Sequence, residues 1–258
     1  MNTYYTMNKY VTMSGIITIS RLLQIYNLWD LMIPLLTVPA IDIVLTKTFG
    51  SKSRWFQLHS AINGIIVCII WKDVIDLFYN PLLNVRVLDT KIDSYFVIVL
   101  HIYHLFIVKQ LSLMDYFHHI LFIGTGVIPS VLYYNLNLLR LAWFSSCGLP
   151  GCIEYFTLSL VKHDLMCPIK QKRYNSYIYN YIRYPITIYG PSITYIIYIN
   201  NILHERNISV KINVFMVSYF NILLFFNGAF YNKITIENYI LHKYKKNNSF
   251  NNLNGYHS

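Results

Sequence analysis

The sequence predicts an all-α protein, a polytopic bundle of transmembrane helices, on three observations. Of its 258 residues, 55% are hydrophobic and only 12% charged, with a mean hydropathy of +0.39; soluble globular domains carry about a quarter charged residues. Uncharged apolar blocks recur along the chain, several near the roughly 20 residues that a bilayer-crossing helix needs. The basic residues fall mostly between those blocks. This composition excludes an ordinary soluble enzyme. It also excludes a disordered chain, because disorder goes with low hydrophobicity and high charge. The net charge of +10 is spread among the connections instead of clustering on one face, which points to membrane lipids as partners and not to nucleic acid.

Residues 1–26 form an N-terminal segment whose apolar run is too weak for a cleaved signal peptide. Residues 27–232 form the transmembrane domain, with about seven spans. The first, 27–45, contains Pro34 and Pro39 and carries Asp30 and Asp42 near its ends. The second has no Asp, Glu, Lys or Arg from Trp55 to Trp71 and then meets Lys72, Asp73 and Asp76; Lys72 and Asp76 stand at i,i+4 and can neutralise each other. The third, 93–108, holds His101 and His104, and the fourth occupies 116–139. The fifth, 140–161, contains Gly148-Leu149-Pro150-Gly151 and then Glu154. That motif predicts a broken helix, and if the block re-enters on its own side the count falls to six. The sixth and seventh, 184–203 and 212–232, are uncharged.

With seven spans, Lys47, Lys52 and Arg54 fall on the same side as the stretch from Lys162 to Arg183 and the C-terminal lysines. The positive-inside rule places that side, and the C-terminus, in the cytosol. An endomembrane such as the endoplasmic reticulum is the expected location, and homo-oligomer formation is compatible with such a bundle. Residues 233–258, basic and rich in Asn, lack apolar periodicity and read as a disordered tail. The four cysteines include no C-x-x-C pair, which argues against a disulfide framework or a thiol zinc site.

Ionisable groups at membrane depth are costly and are functional candidates by default. The densest set is Asp115, His118 and His119. On a helix the carboxylate lies within reach of either ring, and an acid that holds one imidazole N–H makes the other nitrogen a better general base. The competing reading is structural: an acid at a helix start complements the helix dipole. His101 and His104, three residues apart, share a helix face. A short connection makes the third and fourth spans antiparallel, which brings His104 to the membrane end that holds His118 and His119. His101, His104 and Glu154 are candidates for binding substrate, against the plainer reading of histidines that hydrogen-bond between helices. One His-x-x-His and one His-His are fewer than the histidine boxes of membrane di-iron oxidases, so no metal ion is expected. The basic stretch from Lys162 to Arg183 suits the phosphates of a coenzyme or a lipid headgroup, but the charge bias of cytosolic loops already accounts for it.

Arg54-Trp55 with His59-Ser60, Asp93-Ser94-Tyr95-Phe96, and Asp115-Tyr116-Phe117-His118-His119-Ile120 open the second, third and fourth spans. In this order they resemble the TLC (TRAM, LAG1 and CLN8 homology) domain family of multi-pass membrane proteins. Residues 148–156 and 172–185 resemble a subgroup of that family found in protists, algae and large DNA viruses. The resemblance covers about residues 50–232. It implies a helical membrane protein that binds or senses lipid, or acts in membrane lipid homeostasis, with no resident cofactor. It implies as an alternative a ceramide-synthase-like N-acyltransferase. There His118 and His119 match the catalytic pair, Asp115 orients the ring, and acyl-CoA is the co-substrate. The longer acidic and basic motif of ceramide synthases is absent after His119. A further alternative is a transporter of lipid or small molecules, suggested by the broken fifth span, since discontinuous helices often line substrate sites.

Overall fold

The computed structural model describes residues 28–107, 111–134, 136–203 and 214–254. The expected N-terminal segment, 1–26, lies outside the described residues. Among the described residues the protein is all-helical, with eight helices and one isolated antiparallel bridge between Val87 and Leu136.

Helix α1 (Leu28–Phe49) carries Pro34 and Pro39 inside it without interruption. Helix α2 (Arg54–Tyr79) is the centre of the molecule. Leu58, Ile62, Ile66, Ile70 and Leu77 are completely buried, and their spacing of four and seven residues lines one helix face. A short turn of helix, α3 (Pro81–Asn84), leads to α4 (Ile92–Ile107). Helix α5 (Leu113–Tyr133), α6 (138–162), α7 (168–203) and α8 (Val214–Asn254) complete the bundle.

Polar contacts fix the directions. Asp30 of α1 accepts from Thr90 and the Lys91 N–H just before α4, whereas Asp42 accepts from Tyr103 near the end of α4, so α1 and α4 run parallel. Helices α2 and α6 run antiparallel. Ser53 Oγ lies 3.0 Å from Ser159 Oγ, Ser60 donates to the Cys152 carbonyl, and Asp73 pairs with Arg140. At the Arg140 end a buried ion cluster joins three helices: Arg140 bridges Asp73 of α2 and Asp93 of α4, and Arg86 adds a second cation to Asp73.

Two expectations are corrected. Gly148-Leu149-Pro150-Gly151 does not break its helix; α6 is continuous from 138 to 162. A π-helical turn at Phe144–Gly148 sends the Leu149 N–H to the Phe144 carbonyl, and this wider register absorbs Pro150, which has no N–H to give. The glycines serve packing: a Cβ on Gly151 would stand 2.7 Å from Asn63 Nδ2 of α2. The second correction concerns the tail, where α8 continues to Asn254. No Gly or Pro interrupts 233–254, Gly255 being the first, and Lys233 sits one turn before Glu237 at 3.8 Å.

Two segments are long and apolar enough to cross a membrane, Trp29–Phe49 and Leu113–Tyr133, and Ile92–Ile107 is a shorter apolar helix. The expected seven are therefore not met by length and hydropathy among the described residues. Lys72, Asp73 and Asp76 punctuate α2, and tyrosines, threonines and asparagines dilute Tyr184–Leu203.

Candidate functional site

The hairpin of α4 and α5 organises the site. Ser112 and Asp115 form a reciprocal capping box that starts α5, so His118 and His119 follow within its first two turns, facing the last turns of α4. Their helix is π-helical from His118 to Val127. Imidazoles from three helices meet there: His59 of α2, His101 and His104 of α4, and His118 and His119 of α5. Ring centroids stand 5.5 Å apart for His101 and His118, 5.1 Å for His104 and His119, and 5.7 Å for His59 and His101. Trp55 packs against His59 and His104, and the Tyr155 ring lies 4.5 Å from that of His59.

Hydrogen bonds define what some of these rings can do. His101 Nδ1 is 2.7 Å from the Val97 carbonyl. A carbonyl only accepts, so Nδ1 carries the proton and Nε2 of the neutral ring is a free acceptor. His118 Nδ1 is 3.0 Å from the Tyr231 hydroxyl of α8. His59 Nε2 is buried without a partner. The rings meet mostly edge to face, and among the described residues no three His, Cys, Asp or Glu side chains are placed to hold a metal ion.

The structure thus brings His101, His104, His118 and His119 together and gives the other two candidates separate work. The Asp115 carboxylate accepts from the Ser112 N–H at 2.8 Å and its hydroxyl at 2.7 Å; among the described residues it bonds to neither His118 nor His119. Glu154 accepts from Asn175 Nδ2 at 2.8 Å and from the Tyr179 hydroxyl, tying α6 to α7.

Beside the histidines lies a cavity of about 920 Å³, open space at its mouth included. Its walls are mostly apolar: Phe122, Ile123 and Val127 of α5, Leu138, Leu139 and Trp143 of α6, and Val217, Leu223 and Leu224 of α8. His101, His118 and Asn227 supply polar groups beside the histidines, and Ser130, Tyr134, Thr194 and Asn221 supply others farther along, whereas His104, His119 and Glu154 do not line it. Residues from two other π-helical turns border the same region: Ser146 and Cys147 of α6 face the cavity, and Tyr179 and Arg183 of α7 lie behind Asn227 and Tyr231. Such turns are rare and occur disproportionately at functional sites.

Sequence reasoning passes over His59, Arg183, Asn227 and Tyr231 as site residues. His59 had a signal, since it stands in the apolar part of a span. Arg183 is absorbed into a basic stretch, and Asn227 and Tyr231 carry no charge to mark them. Set against known proteins, the chain is matched by no family model, no curated protein and no solved structure.

Proposed function

We propose that this chain is a multi-pass membrane protein that holds a lipid between its helices, with a role in lipid binding, sensing or membrane lipid homeostasis of the kind its TLC-like motifs suggest. The observation that carries the reading is the cavity: apolar walls from four helices with a few convergent polar groups, the usual make-up of a ligand site. Membrane embedding is supported by the large apolar side chains that α1, α5 and α8 turn outward, among them Leu36, Val44, Ile120 and Ile222. Large apolar side chains exposed along three helices suit lipid better than water. In this reading α1, α2 and α4 to α8 all cross the bilayer, the C-terminus is cytosolic, and the endoplasmic reticulum is the expected membrane.

The test is lipid extraction from protein purified in mild detergent, with mass spectrometry of what is released. A lipid near one per chain is expected from the wild type, and less from Gly190→Leu together with Ala142→Phe, which fill the cavity; a Cβ on Gly190 meets only ordinary contacts at 3.8 Å. Lipid content unaffected by filling the cavity would overturn the assignment.

The N-acyltransferase alternative has one observation in its favour. His118 and His101 line the cavity, and His101 presents an unprotonated Nε2, as a general base must. Acyl-CoA and sphingoid bases supplied to the purified protein decide it. Turnover that is lost in His118→Ala/His119→Ala supports catalysis, and bound lipid without turnover supports binding alone. The transporter alternative loses its motive, since the 148–151 segment is continuous helix.

A further inference from the structure

Arg183 is only 5% exposed. Its guanidinium lies 4.6 Å from the Tyr179 ring centroid and 5.2 Å from that of Tyr231. One Nη donates to Asn227 Oδ1 at 2.7 Å, and Nε has no partner. Arg140, the other arginine buried among the described residues, is treated differently: it sits between the carboxylates of Asp73 and Asp93. The half-exposed Arg54 and Arg86 also have acids, Asp42 and Asp73. Among the described residues no carboxylate lies within ion-pair distance of Arg183. Glu154 bonds to Asn175 and to the neighbouring Tyr179, and it makes no ion pair with Arg183.

A buried cation without a counter-ion is costly, and two aromatic faces offset only part of that cost. Arg183 is not itself a wall residue of the cavity, but the groups around it reach one. Asn227, which Arg183 holds through Oδ1, is itself a wall residue of the cavity, and so is His118, bonded to the Tyr231 that covers the guanidinium. We infer that the cavity takes a single-chain amphiphile with an anionic head, a carboxylate or a phosphate monoester, whose charge is received by Arg183 and Asn227 while its chain lies along the apolar wall. This rests on the lipid-binding reading and specifies its headgroup.

The experiment uses full-length protein in neutral detergent, freed of lipid and loaded with a fluorescent 16-carbon fatty acid. Palmitate, hexadecyl phosphate and hexadecanol, alike in chain length, are then compared as competitors. At least one anion should bind about thirtyfold or more tightly than the alcohol, the usual scale for a buried charge pair; the better anion identifies the head. Arg183→Gln should bring acid and alcohol close to equality, and Arg183→Lys should keep part of the preference. Equal binding of acid and alcohol to the wild type overturns the headgroup while leaving lipid binding intact. Failure of every chain to bind overturns both. The wild-type comparison decides the matter even if Arg183→Gln does not fold.

Discussion

Asp115 and Arg140 show how an ionisable side chain's role follows from its partners. Asp115 spends its carboxylate on the start of α5, so Asp115→Ala should cost about 1 kcal/mol of stability, the usual value of a cap, with no loss of bound lipid. A variant that unfolds no more easily but loses lipid would return Asp115 to the binding chemistry. Arg140 is a buried cation shared by Asp73 and Asp93. Removing one member of such a cluster leaves uncompensated charge, so Arg140→Leu should lower stability by about 3–5 kcal/mol. Thermal unfolding in detergent reads this, and Asp93→Asn in the same chain should recover part of the loss. At the opposite end Lys52 holds the Asp164 carboxylate below the usual range by a 2.8 Å bond. Since the folded value is depressed, the contribution is complete above the unfolded carboxylate value of about 3.9 and disappears as pH falls through the lower folded value. Protease cleavage near 163–167 should therefore be flat across neutral pH and rise only below about pH 4.

At the scale of elements, helix approach is set by small residues and by π-helical turns. A Cβ on Gly228 of α8 would stand 2.7 Å from Thr187 Cβ of α7, closer than packed carbons allow. Gly228→Val should push α7 and α8 apart and cost about 1–3 kcal/mol, typical of overpacking, and it should weaken lipid retention because both helices wall the cavity. Unchanged melting and retention would refute the tight contact. The main helices were legible from their uncharged blocks, and the meeting of His101 and His104 with His118 and His119 from spacing and a short connection. The register shifts were not. Gly-Leu-Pro-Gly reads locally as a break, and only packing against α2, with the wider turn before Pro150, makes it helical. Arg183 was equally hidden, since charge-bias reasoning counts a cation without knowing whether it is exposed or buried.

For the whole molecule, the histidines lie toward the end that also carries Lys52, Lys162, Lys170 and the lysines of α8. In the topology proposed above, α1, α2, α4, α5, α6, α7 and α8 would cross the bilayer in alternating directions. Cysteines placed at Lys162 and Lys243 should therefore react with an impermeant thiol reagent from the same side of a sealed vesicle, and one at Asn84 from the other; reaction of all three from one side would contradict the topology. Composition alone announced an apolar molecule, while the hollow between α5, α6, α7 and α8 depends on how wall residues from distant segments meet, which no local pattern records. Imaging the full chain in a lipid nanodisc by electron cryomicroscopy would show directly whether a lipid is seated in that hollow. The expected result is an elongated density along Phe122, Trp143 and Leu224 with its head at Asn227 and Arg183; a cavity closed by side chains, or filled by ordered water alone, would contradict a bound lipid.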